Sequence, residues 1–250
     1  MAGHIQIEEA GDVAVVRIDR PPANAMDLDL LAEGNEVRER LASEEPAAVV
    51  IVGRDDFFSA GLDLKAAPTL SGNEQRATVN GINKLFTGWY AFPRPVVAAV
   101  NGHAVAGGLI LALCADYRVC ANEGRLGLTE LRAGLPYPLA AISVVRAELA
   151  PATARRLVLG ASLVEPPEAL ALGVVDEVVP RDQALPRAIE IASERALLPP
   201  SSYAVVKRQL RGPAIEALER ALGGGAGDPA LDAWVSSETS AAAAGILRRD

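Results

Sequence analysis

Two uninterrupted apolar runs constrain this chain more than anything else in it: Ala47-Ala48-Val49-Val50-Ile51-Val52 and Pro95-Val96-Val97-Ala98-Ala99-Val100. Neither alternates with polar residues, so neither can leave one face in water. Runs this short, rich in β-branched residues and apolar on both sides, are expected as inner strands of a parallel sheet. Parallel strands need crossovers, and helical spacing lies between and around these runs. Leu28, Leu31, Val37 and Leu41 mark a helix from Asp27 to Ser43, with Asp27 placed to cap it. Tyr117 to Ala121 reads as a third buried strand and Val174 to Val179 as a last one. The chain is therefore expected to form an α/β core to about Val179, followed by an all-helical tail.

Local signals fill in the rest. Ile5–Glu8 and Val13–Ile18 flank Ala10-Gly11-Asp12, a hairpin pattern. Arg20-Pro21-Pro22-Ala23-Asn24 ends the second strand, and Phe57 to Gly61 reads as a loop. Residues 65–80 are polar without a clear period and read as an irregular, mobile surface segment, with a helix only from Ile82 to Phe92. Short helices are expected at Gly107–Leu113, Thr129–Leu135, Ala140–Leu149, Ala152–Leu159 and Pro166–Leu172, with Gly160 and Gly173 as their stops where they follow a helix. Aromatic residues are only 4 % of the chain, so Ala, Val and Leu must pack the core.

Composition narrows the partners. The net charge is −8 with no cluster of Lys and Arg, which argues against nucleic acid. The apolar stretch 95–113 is broken by Asn101, Gly102, His103, Gly107 and Gly108, so no membrane span is expected. Cys114 and Cys120 lack metal-ligand spacing and read as buried thiols of a reducing compartment, which with the lack of a leader pattern suggests the cytoplasm. Two histidines and no acidic cluster give no basis for a catalytic metal.

Two strand-to-helix junctions could carry chemistry: Phe58-Ser59-Ala60-Gly61-Leu62-Asp63-Leu64 and, about forty residues later, Asn101-Gly102-His103-Ala104-Val105-Ala106-Gly107-Gly108. Small residues at such places let a ligand approach free backbone N–H groups. Spacing alone is equally met by two ordinary tight turns.

Together these segments resemble the enoyl-CoA hydratase/isomerase (crotonase) superfamily. Arg20-Pro21-Pro22-Ala23-Asn24-Ala25-Met26, Ala115-Asp116-Tyr117-Arg118 and Ala169-Leu170-Ala171-Leu172-Gly173-Val174-Val175-Asp176 resemble further pieces of it in the same order, over roughly residues 5–210. The resemblance implies a spiral of ββα units over residues 1–190 and a helical C-terminal region, 191–250, that assembles a homotrimer or homohexamer. It implies an acyl-CoA thioester as substrate, with coenzyme A part of that substrate and no separate cofactor. The thioester oxygen would rest on the N–H groups of Ala60 and Gly107. Ala60, Gly61, Leu62 and Asp63 would line the CoA side, and Lys65 is either a phosphate contact or a solvated lysine.

The subfamily pattern is finer. Hydratases of the family use two glutamates, the first two residues after the glycine pair, the second twenty residues on. Here those positions are Ile110 and Glu130. Hydration needs both an acid and a base around one water; one carboxylate suits double-bond migration. Ala106 to Arg118, and Gly127-Leu128-Thr129-Glu130-Leu131 with its continuation to Pro138, resemble the Δ3,Δ2-enoyl-CoA isomerases. Glu130 is then the sole acid/base, with Leu109, Ile110 and Tyr137 as an apolar wall that raises its pKa. A hydratase with altered groups, a binder of acyl-CoA without turnover, and another enolate reaction remain open. His4 is placed near a chain end without a role, and His103, Asp116, Trp89 and Trp234 are expected to be structural. Asp63 would also serve as a cap, and Lys207 could reach a CoA phosphate.

Overall fold

In the computed structural model, which describes residues 3–66, 69–223 and 228–234, the two apolar runs lie side by side at the centre of a sheet. The strands are β1 (Ile5–Ala10), β2 (Val13–Ile18), β3 (Ala48–Val52), β4 (Phe57–Ser59), β5 (Val96–Val100), β6 (His103–Val105), β7 (Tyr117–Ala121), β8 (Leu126–Gly127), β9 (Leu163–Val164) and β10 (Glu177–Val179). The helices are α1 (Leu28–Glu44), α2 (Gly72–Tyr90), α3 (Gly107–Leu113), α4 (Leu139–Glu148), α5 (Pro151–Leu159), α6 (Pro166–Ala171), α7 (Ala184–Ala196), α8 (Pro200–Gly223) and α9 (Leu231–Trp234).

One sheet has the order β1-β2-β3-β5-β7-β10 and the other β4-β6-β8-β9. Only β1–β2 is antiparallel in the first, and β3, β5 and β7 pair in parallel (Val49↔Val96, Val97↔Tyr117). The chain visits the two sheets alternately. β3, β4 and α2 make one turn of a spiral, β5, β6 and α3 the next, and β7, β8 and α4 a third. This is the ββα spiral expected from the sequence.

The inner strands are buried on both faces. Val49, Ile51, Val96 and Ala98 face the main core with α1 to α4, whereas Ala48, Val50, Val97 and Ala99 face Ala188, Ile191 and Ala192 of α7. The first helix of the tail is thus a layer of the core, and the boundary expected at residue 190 falls inside it.

Three local expectations need correction. Residues 72–80 are not irregular: they are the first turns of α2. Ser71 accepts from Glu74 N–H while the Glu74 carboxylate accepts from Ser71 N–H, a capping box that starts the helix. The second sheet also escaped notice, because β4, β6, β8 and β9 are two or three residues long and show no period. Gly160 has φ −82°, and the left-handed residue after α5 is Ala161. Cys114 and Cys120 are buried free thiols, as expected. No helix among the described residues is long and apolar enough to cross a membrane. Expectations for the last residues, 235–250, lie outside those described.

Candidate active site

The two glycine junctions meet. Gly61 lies against the start of α3, so closely that a Cβ there would stand 2.8 Å from Gly107 N and 2.9 Å from Val105 O. Its φ of +78° is likewise open mainly to glycine. Gly108 is packed the same way: a Cβ would fall 2.1 Å from Ser59 O. Ala106 holds the unusual φ of +52° just before α3, fixed by its N–H on Gly127 O and by its carbonyl under Leu109 and Ile110 N–H.

Where the backbone donors go decides what this junction can hold. Ala60 N–H donates to Ala23 O at 3.0 Å, Gly61 N–H to Ser59 Oγ at 3.1 Å, and Asp63 N–H to Met26 O at 2.9 Å. The Ala60 amide is therefore spent on the early loop and cannot serve a ligand oxygen, contrary to the expectation. Leu62 N–H has no partner among the described residues, and neither has Gly107 N–H at the first position of α3. The reason is the left-handed Gly61, which reverses the chain between one donor and the next. Asn24 and Ser59 lock the arrangement: Asn24 Nδ2 donates to Phe57 O at 2.9 Å and Ser59 Oγ to Asn24 O at 2.7 Å.

A cavity of about 610 Å³ opens here. Ala60, Leu62, Gly107, Ile110 and Glu130 all line it, so the sequence brought five site residues to one place. Met26, Leu64, Ile82, Phe86 and Trp234 add apolar wall, Thr129 and Arg132 are polar, and Glu130 is the only carboxylate in the lining among the described residues. Glu130 starts a 3-10 turn, Glu130–Ala133, closed by Gly134 at φ +66° and by Leu135 N–H on Glu130 O. It is 9 % exposed, and its Oε2 is buried without a hydrogen-bond partner. Burial raises its pKa to about 7. The Tyr137 hydroxyl stands near enough to temper that rise, although it too is buried without a full hydrogen bond. Burial and then the Glu130 charge push the Tyr137 phenol well above its usual range.

Other expected site residues lie elsewhere. Gly61 shapes the junction but does not line the cavity, and Leu109 is buried in the core behind it. Asp63 pairs with Arg20 at 3.0 Å and accepts from Lys65 and Ala66 N–H, so its carboxylate is a turn anchor. Lys65 is exposed, outside the cavity lining. Lys207 is buried, 2.7 Å from Asp116, and cannot reach a phosphate; burial draws its pKa down to about 8. His103 stacks on Phe57, ring centres 4.8 Å apart, as a packing residue. Trp234 was expected to be packing alone, yet it lines the cavity from the far end of the chain. No local signal marks it, because α9 is four residues long.

The sequence model of the family described as Enoyl-CoA hydratase/isomerase matches residues 8–226. A putative enoyl-CoA hydratase of Thermus thermophilus is 38 % identical over 214 residues, 82 % of this chain and 83 % of that one. The mouse mitochondrial enoyl-CoA delta isomerase 1 is 31 % identical over 211 residues, 83 % of this chain and 73 % of that one. The solved human mitochondrial delta3-delta2-enoyl-CoA isomerase superposes with a TM-score of 0.91 at 25 % identity, covering 98 % of this chain and 97 % of that one.

Proposed function

The chain belongs to the enoyl-CoA hydratase/isomerase family, and we propose that within it the protein moves a double bond from the 3- to the 2-position of an enoyl-CoA thioester. One observation carries the reading: among the described residues a single carboxylate, Glu130, lines the cavity, and Ile110 stands in its wall where hydratases of the family carry their first glutamate. The thioester oxygen sits on Leu62 and Gly107 N–H, two unpartnered donors at residues that line the cavity. Each such donor contributes roughly 3 kcal/mol to the transition state. Glu130 removes a proton from C2, the electron pair spreads into a dienolate held by those amides, and the same carboxylic acid returns the proton at C4. A pKa of about 7 suits both halves of the transfer. Coenzyme A enters as part of the substrate, and exposed Lys65 near the junction is available to its phosphates.

Besides Glu130 the described lining offers Thr129 and Arg132 as polar side chains but no second carboxylate to activate a water, which favours migration over hydration. The relatives' names include both activities, so the decisive measurement is direct. Purified protein should convert a 3-enoyl-CoA to its 2-enoyl isomer and leave crotonyl-CoA nearly unhydrated. Vigorous hydration of crotonyl-CoA with no isomerisation would replace this reading with the hydratase one. Tight thioester binding with neither product would make the protein a binder. Ile110→Glu should gain hydration if the missing second carboxylate is what separates the two. The family also leads us to expect a homotrimer or homohexamer, which a solution mass would test.

A further inference from the structure

The strap Pro136–Leu139, which joins the Glu130 turn to α4, is clamped on both sides of Tyr137. Before it, Trp234 Nε1 donates to Pro136 O at 2.8 Å. After it, Leu139 N–H donates to Asp228 Oδ2 at 2.7 Å and Ala140 N–H to Asn83 Oδ1 at 2.9 Å. Asn83 Nδ2 donates to the same Asp228 oxygen at 2.7 Å, and both side chains are buried. These two acceptors satisfy the open N–H groups at the start of α4, which lacks a side-chain cap of its own. The C-terminal segment 228–234 thus fixes the two residues between the clamps, of which only Tyr137 carries a polar side chain.

That residue presents a buried hydroxyl with no hydrogen-bond partner, and Glu130 Oε2 is the same. Leaving a buried polar atom unsatisfied destabilises the fold. A phenylalanine would fill the same space without that cost, so a wall alone does not explain a tyrosine. Both belong to one short stretch, the Glu130–Ala133 turn and the strap after it, which Leu135 N–H folds back onto Glu130 O, and each is placed to influence the other's proton affinity.

We propose that Tyr137 is a positioning residue for Glu130: its hydroxyl donates to one oxygen of the ionised carboxylate, leaving the other to carry the proton between substrate carbons. The phenol keeps its own proton throughout, because burial and the neighbouring charge oppose its ionisation. Its part in turnover rests on the isomerase reading; its coupling to Glu130 does not. Charged groups on the surrounding described elements are Arg132 on its own turn, Arg155 and Arg156 on α5 and Asp232 on α9, all exposed, with Arg156 paired to Glu168, and the buried Asp228 of the clamp, which is taken up by Asn83 and Leu139 N–H.

The sign is fixed. A donor to the carboxylate favours its charged form, so removing the donor raises the pKa of Glu130. In Tyr137→Phe, a carboxyl-carbon NMR titration without substrate should place Glu130 ~0.5–1 pH unit higher than in the wild type. With a 3-enoyl-CoA, the acid limb of kcat should move up by the same amount, with kcat down ~10-fold and KM within ~2-fold. Trp234→Phe, which releases the Pro136 clamp and also trims the cavity wall, should shift the substrate-free carboxyl titration the same way by less. An unmoved carboxyl titration in Tyr137→Phe overturns the proposal, and so does a loss of kcat with an unmoved pH profile. A shifted titration in a protein whose wild type isomerises nothing upholds the coupling and ends the isomerase reading.

Discussion

Asp116 and Glu130 are buried to nearly the same degree, the first in a side chain 10 % exposed, the second in a residue 9 % exposed, and they face opposite surroundings. Asp116 accepts from Val96 N–H at 2.8 Å and from Lys207 Nζ at 2.7 Å, and pairs with Arg211 at 3.2 Å. Arg211 itself donates to the carbonyls of Tyr90, Cys114 and Ala115 and lies over the Tyr90 ring. This cluster ties α8 to the end of α3, the end away from Gly107. Among the described residues Glu130 has no cation paired with it, and its Oε2 has no hydrogen-bond partner. Burial by itself therefore does not mark a candidate acid/base. What marks it is burial left uncompensated, which stores its cost as a raised proton affinity.

The contrast can be broken most forcefully at Glu130. Glu130→Gln should lower isomerisation by ~10³-fold or more, the upper range for a lone acid/base, while the protein remains folded by circular dichroism. The same neutralisation at Asp116 should do the reverse. Asp116→Asn leaves Lys207 without its carboxylate and Arg211 with Glu148 alone, and should cost ~3–5 kcal/mol of stability, read from urea unfolding, with kcat per folded molecule nearly intact. If Asp116→Asn lost activity but not stability, the two carboxylates would have exchanged roles.

A pH series sharpens the difference further. Between the unfolded value of Glu130, 4.5, and its folded value of about 7, the native state binds more protons than the unfolded chain. Stability from this group is complete below the lower value and is lost as pH rises through the upper one. The loss amounts to as much as ~3 kcal/mol. Comparing urea midpoints of wild type and Glu130→Gln from pH 4.5 to 8 should show the wild type falling relative to the variant. The smallest effect is expected at the clamp: Asp228→Asn keeps an acceptor but loses the charge, costing ~1 kcal/mol. A raised KM for the 3-enoyl-CoA should accompany it, because Trp234 then holds the cavity wall less firmly.

Legibility followed the length of each signal. β3 and β5 were readable because five consecutive residues are apolar on both faces, and α1 because Asp27 caps a four-point apolar stripe. β4, β6, β8 and β9 were not, since two or three residues cannot establish a period. The first half of α2 was hidden by its polar composition, although Ser71 and Glu74 carried the capping box openly. Within the site, Glu130, Ile110, Leu62 and Gly107 could be picked out by spacing and resemblance, and all four line one cavity. Choosing Ala60 over Leu62 as the donor failed because amide direction depends on φ at Gly61, which no spacing rule supplies.

The sequence by itself determined the parallel sheet, the two glycine junctions and the lone carboxylate at position 130, all of which rest on local pattern and side-chain type. Tertiary structure alone decided which amides are free, that Lys207 and Asp63 are already paired, and that Trp234 and Asp228 return to close the cavity and clamp Tyr137. The physical reason is that a donor's availability and a carboxylate's proton affinity are set by what lies within a few ångströms in space. Those neighbours come from 37 to 145 residues away along the chain, as Ala23 does for Ala60 and Asp228 does for Asn83.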